Sequence, residues 1–208
     1  MLSKFDQAFV YLSGAIDFAP DGGTDWRREV TTRLVDIGFN ENFILSPTKK
    51  PHNNLNLNLD NEGKILAKLR KANKWGKFCT MMGEIAHLDL RLVDKSDFVI
   101  AYFPSISDNN KVPTYGTMHE IVVAREQQKP VLVVWDGGKK SCSGWLMWLV
   151  GHYNVFSTFN DLFDRLDSVS KGKSRYGIKD WLFMDFHRTY KERSCNNATD
   201  SARIPAVK

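Results

Sequence analysis

Glu120, Asp89 and Tyr11 are the side chains whose type and spacing could do chemistry. Glu120 follows Gly116-Thr117-Met118-His119, a polar, glycine-containing stretch of the kind that starts a helix. That spacing predicts Glu120 in the first helical turn, where the helix dipole stabilises its charge and its carboxylate can face a ligand crevice. The plain alternative is a favourable helix-end charge with no chemical task. Asp89 stands eight residues before Asp97, which opens an apolar run, and on its own it reads as a surface carboxylate. Tyr11 lies within Ala8-Phe-Val-Tyr-Leu12 and by itself reads as a core residue with a satisfied hydroxyl. His119 and His152 have no second ligand at metal spacing, so no metal site is expected.

The elements that must position these residues alternate in type. Residues 97–103 and 131–135 are apolar runs rich in β-branched and aromatic residues and read as buried strands. Between them Ile121, Val122, Ala124 and Arg125 give a helical pattern, so the segment is a strand-loop-helix-strand unit. The loop leaving the carboxyl end of the first strand of such a unit lines the ligand crevice of an open parallel sheet.

The start of the chain repeats that design. The run 8–12 ends at Ser13-Gly14, and Trp26, Val30, Leu34 and Ile37 then predict a helix over 25–37. Thr24 or Asp25 is the expected N-cap and Gly38 the expected C′ residue. Residues 43–45 read as a short strand. Residues 48–62, with five asparagines, read as a long loop, a length typical of lids and binding loops. Helices are expected over 62–73 and 80–94. In the second of these Met81, Ile85, Leu88 and Leu92 form the stripe and Asp89 stands one residue off it. After residue 135 come a glycine-rich loop, a short helix over 145–150, an edge strand at 155–156 and a helix over 159–169. The expected architecture is a single-domain α/β fold, a doubly wound parallel sheet of flavodoxin-like or Rossmann-like order. It should occupy residues 1–170. Residues 171–208 form a C-terminal extension in which the aromatic patch 181–186 is expected to pack and the last dozen or so residues to be mobile.

Composition bounds what the fold could serve. The 208 residues carry a formal net charge of +5 and a pI near 9.0, a balance that suits an acidic partner. Six of the basic residues, Lys64, Lys68, Arg70, Lys71, Lys74 and Lys77, cluster within 64–77, which reads as a solvated helix face. No RNA-recognition or helix-turn-helix signature accompanies them, so nucleic acid is not the expected partner. No apolar segment reaches membrane-spanning length and no signal peptide precedes residue 8, so a cytoplasmic protein is expected. Cys79, Cys142 and Cys195 stand far apart and imply neither a disulfide framework nor zinc. The turn Ser13-Gly14-Ala15-Ile16-Asp17 lacks GxGxxG, and the chain lacks a Walker motif, which disfavours nicotinamide and nucleoside-triphosphate chemistry; no cofactor is expected.

Tyr11-Leu-Ser-Gly14, Asp89 eight residues before Asp97, Gly116-Thr117-x-x-Glu120-Ile and Lys129-Pro-Val, taken in order over residues 9–156, resemble the nucleoside 2-deoxyribosyltransferase family and the related nucleoside 5′-monophosphate N-glycosidases. The resemblance implies a small-molecule nucleoside or nucleotide substrate, Glu120 as nucleophile at the anomeric carbon, Asp89 assisting proton transfer at the base, and Tyr11 beside the nucleophile. Gly14, Asp17, Thr114, Gly116 and Thr117 then fall at substrate-binding positions. Asn154 resembles an asparagine that the transferases supply to a neighbouring subunit's site, which implies a homo-oligomer; its alternative is a turn residue before an edge strand. The chain departs from the transferases at Thr114, where they carry an aspartate that holds the sugar 5′-hydroxyl; the monophosphate glycosidases tend to carry a serine there. Deoxyribosyl transfer is the leading expectation and hydrolysis of a 5′-monophosphate the second. A non-catalytic nucleotide-binding module on the same fold is the rival from another class.

Overall fold

The chain folds around five parallel strands, seen in a computed structural model that describes residues 5–16, 19, 21–49, 59–104, 115–171 and 181, with only the backbone of 59–62. The strands are β1 (Val10–Gly14), β2 (Ile44–Leu45), β3 (Phe98–Phe103), β4 (Val131–Trp135) and β5 (Val155–Phe156). Their order across the sheet is β2-β1-β3-β4-β5, the flavodoxin-like order, in which the chain reverses direction across the sheet between β1 and β3. The register runs Tyr11↔Val99↔Val131 and Ser13↔Ala101↔Val133↔Val155 across the middle of the sheet. Strands covered on both faces read as continuous apolar runs rather than alternating ones, and β1, β3 and β4 are buried along nearly their whole lengths.

Among the described residues the helices are α1 (Thr24–Asp36), α2 (Leu59–Lys71), α3 (Trp75–Lys95), α4 (Tyr115–Glu126), α5 (Gly144–Val150) and α6 (Phe159–Ser170). On one face Val10, Leu12, Phe98, Ile100, Leu132 and Val134 pack against Val30 and Leu34 of α1 and Leu162, Phe163 and Leu166 of α6. On the other Tyr11, Val99, Ala101, Val131 and Val133 pack against Val93 of α3, Ile121 and Ala124 of α4, and Leu146 and Val150 of α5. Alternate residues of a strand point to opposite faces, so Tyr11 and Ser13 share the face covered by α3, α4 and α5. Leu132 is fully buried in the central strand β4. Leu132→Ala should cost about 2–5 kcal/mol, read as a lower urea midpoint with an unchanged slope.

Helix ends show where local reading succeeds and where it slips. Gly38 is the C′ residue of α1, at φ 100, with the amides of Gly38 and Phe39 bonded back to Val35 and Leu34. The N-terminus of α1 is instead organised by Asp21, whose carboxylate accepts from the amides of Gly23 and Asp25, while Gly23 occupies the cap at φ 72. Helix α2 begins three residues before the expected 62, and α3 begins at 75 rather than 80. Residues 75–80 are exposed apart from the half-buried Phe78, so no buried stripe marks them as helical.

Two polar side chains close the bottom of this frame. Asp97 accepts from the Phe9 amide at 2.8 Å and pins the start of β1 to β3. Lys129 donates to the carbonyls of Val93 and Asp94 at 2.6 and 2.7 Å, which satisfies the C-terminus of α3. Of the C-terminal aromatic patch, Trp181 is buried against Phe98, ring centroids 5.2 Å apart; residues 182–186 lie outside the described residues, as do most of 48–62.

Candidate active site

Helix α4 meets the sheet along Thr117, Glu120, Ile121 and Ala124, spaced i, i+3, i+4 and i+7. That is the core-facing stripe of an amphipathic helix, and it carries a glutamate. Glu120 is 9% exposed, far from the usual place of a carboxylate. The expected position therefore needs correction. Because α4 starts at Tyr115, Glu120 lies in the second turn, beyond reach of the helix-end amides, and it is held by side chains instead.

Those side chains come from one face of β1. The Tyr11 hydroxyl donates to Glu120 Oε1 at 3.0 Å, and the Ser13 hydroxyl donates to Oε2. Both donors are themselves fully buried. Each carboxylate oxygen is thus oriented by one hydroxyl and keeps a second lone pair. Tyr11 is one of the expected site residues. Ser13 was legible only as part of the Ser13-Gly14 turn, although its period-two relation to Tyr11 puts it on the same face.

Asp89 joins from α3, where it and Val93, four residues on, are the buried residues. The buried line therefore runs one residue past the expected stripe of Leu88 and Leu92 and includes Asp89, which is 9% exposed. The surface-carboxylate reading does not hold.

These groups titrate as a cluster. Burial pushes the Glu120 carboxyl up to about 7 and the Asp89 charge adds to the rise, against the Ser13 and Tyr11 hydrogen bonds and the Arg27 charge. Burial also drives the Tyr11 phenol well above its ordinary value, with Glu120 and Asp89 contributing, so it remains a proton donor across the working range. Arg27, on α1, is the cation of the cluster and was not singled out in the sequence; its guanidinium is 2% exposed.

The remaining expected residues divide. Gly14 ends β1, and a Cβ there would come within 2.7 Å of the Trp26 ring, so the close approach of helix to strand requires glycine. Thr117 is buried and Gly116 exposed at the start of α4. Asp17 and Thr114 lie outside the described residues. Asn154 does not join the cluster: it is 1% exposed, and its Nδ2 donates to the Val150 carbonyl at 2.9 Å, turning the side chain into its own chain at the end of α5. Within the single chain it fits the turn reading, with Oδ1 buried and no hydrogen-bond partner for it among the described residues. His119 and His152 are both exposed. Among the described residues no group of three or more His, Cys, Asp or Glu could hold a metal, and no helix is long and apolar enough to cross a membrane.

The arrangement offers one oriented, buried carboxylate and a second carboxyl group near enough to perturb it, beside the carboxyl edge of a parallel sheet at its switch point. Among solved structures the chain is similar to a 2-desoxiribosyltransferase from Leishmania mexicana, with 17% identity and a TM-score of 0.47, over 76% of this chain and 95% of that one. No protein-family model and no curated protein matches it. A likeness at that level carries no weight for activity.

Proposed function

We propose that the protein is an enzyme that cleaves the N-glycosidic bond of a nucleoside or nucleotide and passes the sugar to another base through an ester on Glu120. The observation that carries this reading is the Tyr11–Glu120–Ser13 arrangement: a buried carboxylate with both oxygens fixed by hydroxyl donors. The order of Tyr11-Leu-Ser-Gly14, Asp89 and Gly116-Thr117-x-x-Glu120 along the chain supports a nucleoside as the substrate.

In this mechanism a Glu120 oxygen forms a bond to the anomeric carbon as the bond from that carbon to the base nitrogen breaks. The electron pair leaves with the base, which takes a proton from Asp89. An incoming base, or water, then attacks the anomeric carbon, returns a proton to Asp89 and releases the Glu120 carboxylate. Two displacements retain the configuration. Burial serves this chemistry because a poorly solvated carboxylate needs little reorganisation to attack. A module that only bound nucleotides would gain nothing from a carboxylate whose charged form burial disfavours.

The test is a panel of nucleosides, deoxynucleosides and their 5′-monophosphates, with and without an acceptor base, followed by chromatography of the bases. Exchange or release of base with any of them supports the proposal. No release from the whole panel would sink it and leave the binding module. Mass spectrometry with a slow substrate should place a sugar adduct on Glu120.

A second reading, hydrolysis of a 5′-monophosphate, is favoured by the sequence at Thr114, which lacks the aspartate that the resembled transferases carry at that position and that would repel a phosphate. Wild type is expected to use a deoxynucleoside 5′-monophosphate at least as well as the nucleoside, and Thr114→Asp to reverse that order. Comparison of kcat/KM for the matched pair on both proteins decides it. A wild type that strongly prefers the free nucleoside would assign Thr114 to a 5′-hydroxyl.

A further inference from the structure

Strand β1 outruns its neighbour β2. Only Val10 and Tyr11 pair with β2, whereas β1 continues along β3 to Gly14. In a parallel ladder alternate residues turn their backbone groups to the same side, and the Phe9 carbonyl accepts from Asp97 and Phe98 on the β3 side. The carbonyls of Leu12 and Gly14 therefore face the side that β2 has vacated, where a buried carbonyl needs another donor.

Arg27 supplies it. Its Nε donates to the Leu12 carbonyl at 3.1 Å, Nη2 to the Gly14 carbonyl at 2.8 Å and Nη1 to the Gly23 carbonyl at 2.6 Å. The planar fork of a guanidinium can span these acceptors at once, which an ammonium cannot. Ser13 stands between the two clamped β1 carbonyls, and its side chain emerges on the opposite face to donate to Glu120.

We infer that Arg27 is the positioning residue of this site: by holding the Leu12 and Gly14 carbonyls, one residue before and one after Ser13, it fixes the Ser13 hydroxyl, and through that hydroxyl the orientation of the Glu120 carboxylate. Support of the strand end alone would not call for a cation, because a neutral amide can donate to two carbonyls without burying charge. Burial lowers Arg27 to about 10, so it is still charged at neutral pH, and its charge bears on Tyr11, Glu120 and Asp89, of β1, α4 and α3, and on Asp21 ahead of α1. No carboxylate forms an ion pair with it among the described residues. The charge therefore acts on the cluster as a whole and favours the ionised form of Glu120.

The inference deepens the proposed reaction and rests on it for its kinetic arm; its spectroscopic arm is independent. Arg27→Lys, Ser13→Ala and the double variant are compared in turnover and in the infrared band of the Glu120 carboxyl at pH 5, assigned by difference against Glu120→Gln. Arg27→Lys keeps the charge and loses the fork. It should lower kcat about ten- to a hundredfold, with KM changed by less than about threefold, and should cost little more once Ser13 is alanine. The carboxyl C=O band should move towards its free-acid frequency, as it does in Ser13→Ala. A residue that only supports the fold would lower the unfolding midpoint and leave both kcat per folded molecule and the band in place. That result overturns the inference, and so do additive effects of Arg27→Lys and Ser13→Ala. If wild type turns over no substrate, the proposed reaction fails while the band shift still decides the role of Arg27. Should Arg27→Lys not fold, Arg27→Gln, which keeps two donors, gives the same band reading.

Discussion

Glu120→Gln should abolish turnover and at the same time make the folded protein more stable above neutral pH. Loss of the nucleophile is expected to lower kcat by about a thousandfold or more, since an amide oxygen cannot form the glycosyl ester that the mechanism requires. The gain in stability follows from linkage. An unfolded glutamate titrates near its model value of 4.5, whereas burial holds folded Glu120 at about 7. Between those values the native state binds more protons than the unfolded state, so stability falls as pH rises through the window. Above pH 7 the full cost is present, about 3–4 kcal/mol at roughly 1.4 kcal/mol per unit of pKa. Glutamine has the same shape and no charge to bury, and the Tyr11 and Ser13 hydroxyls can rotate to serve its amide. Urea unfolding of both proteins at pH 4.5 and pH 8.5 gives the check. Glu120→Gln should match wild type at the lower pH and exceed it at the higher. An equal difference at both would mean that Glu120 is not held neutral by burial.

That opposition between stability and activity was only partly legible in the sequence. The strands were, because fully buried parallel strands leave unbroken apolar runs, and so was the identity of both carboxylates. Their depth was not. Glu120 was read by its distance from the helix start, and its place at i+3 in the stripe of Thr117, Ile121 and Ala124 was not used. The burial of Asp89 was missed because Leu88 and Leu92 look like the better stripe until the sheet is present to select Asp89 and Val93. Arg27 failed for a different reason. It follows Trp26, the residue that fits the apolar pattern, and its burial depends on β2 ending at Leu45, a non-local event with no mark near residue 27. Lys129, read only as part of a motif, has a structural task in the carbonyls it caps.

Asp89→Asn should separate the two carboxyl groups by role. Wild-type kcat/KM is expected to rise with pH through about 7, because the attacking group must be ionised and Glu120 gives up its proton there. Tyr11 stays protonated well above that range and does not contribute a limb of its own. At the plateau Asp89→Asn should be slower by about a hundredfold or more on an ordinary purine deoxynucleoside, the usual worth of a positioned proton donor. On a purine deoxynucleoside already methylated at N7, whose base departs without taking up a proton, the loss should shrink to a few-fold. The contrast isolates proton donation from any damage to the fold, since a distorted site would slow both substrates alike. Equal losses on the two substrates would remove Asp89 from the leaving-group side of the reaction.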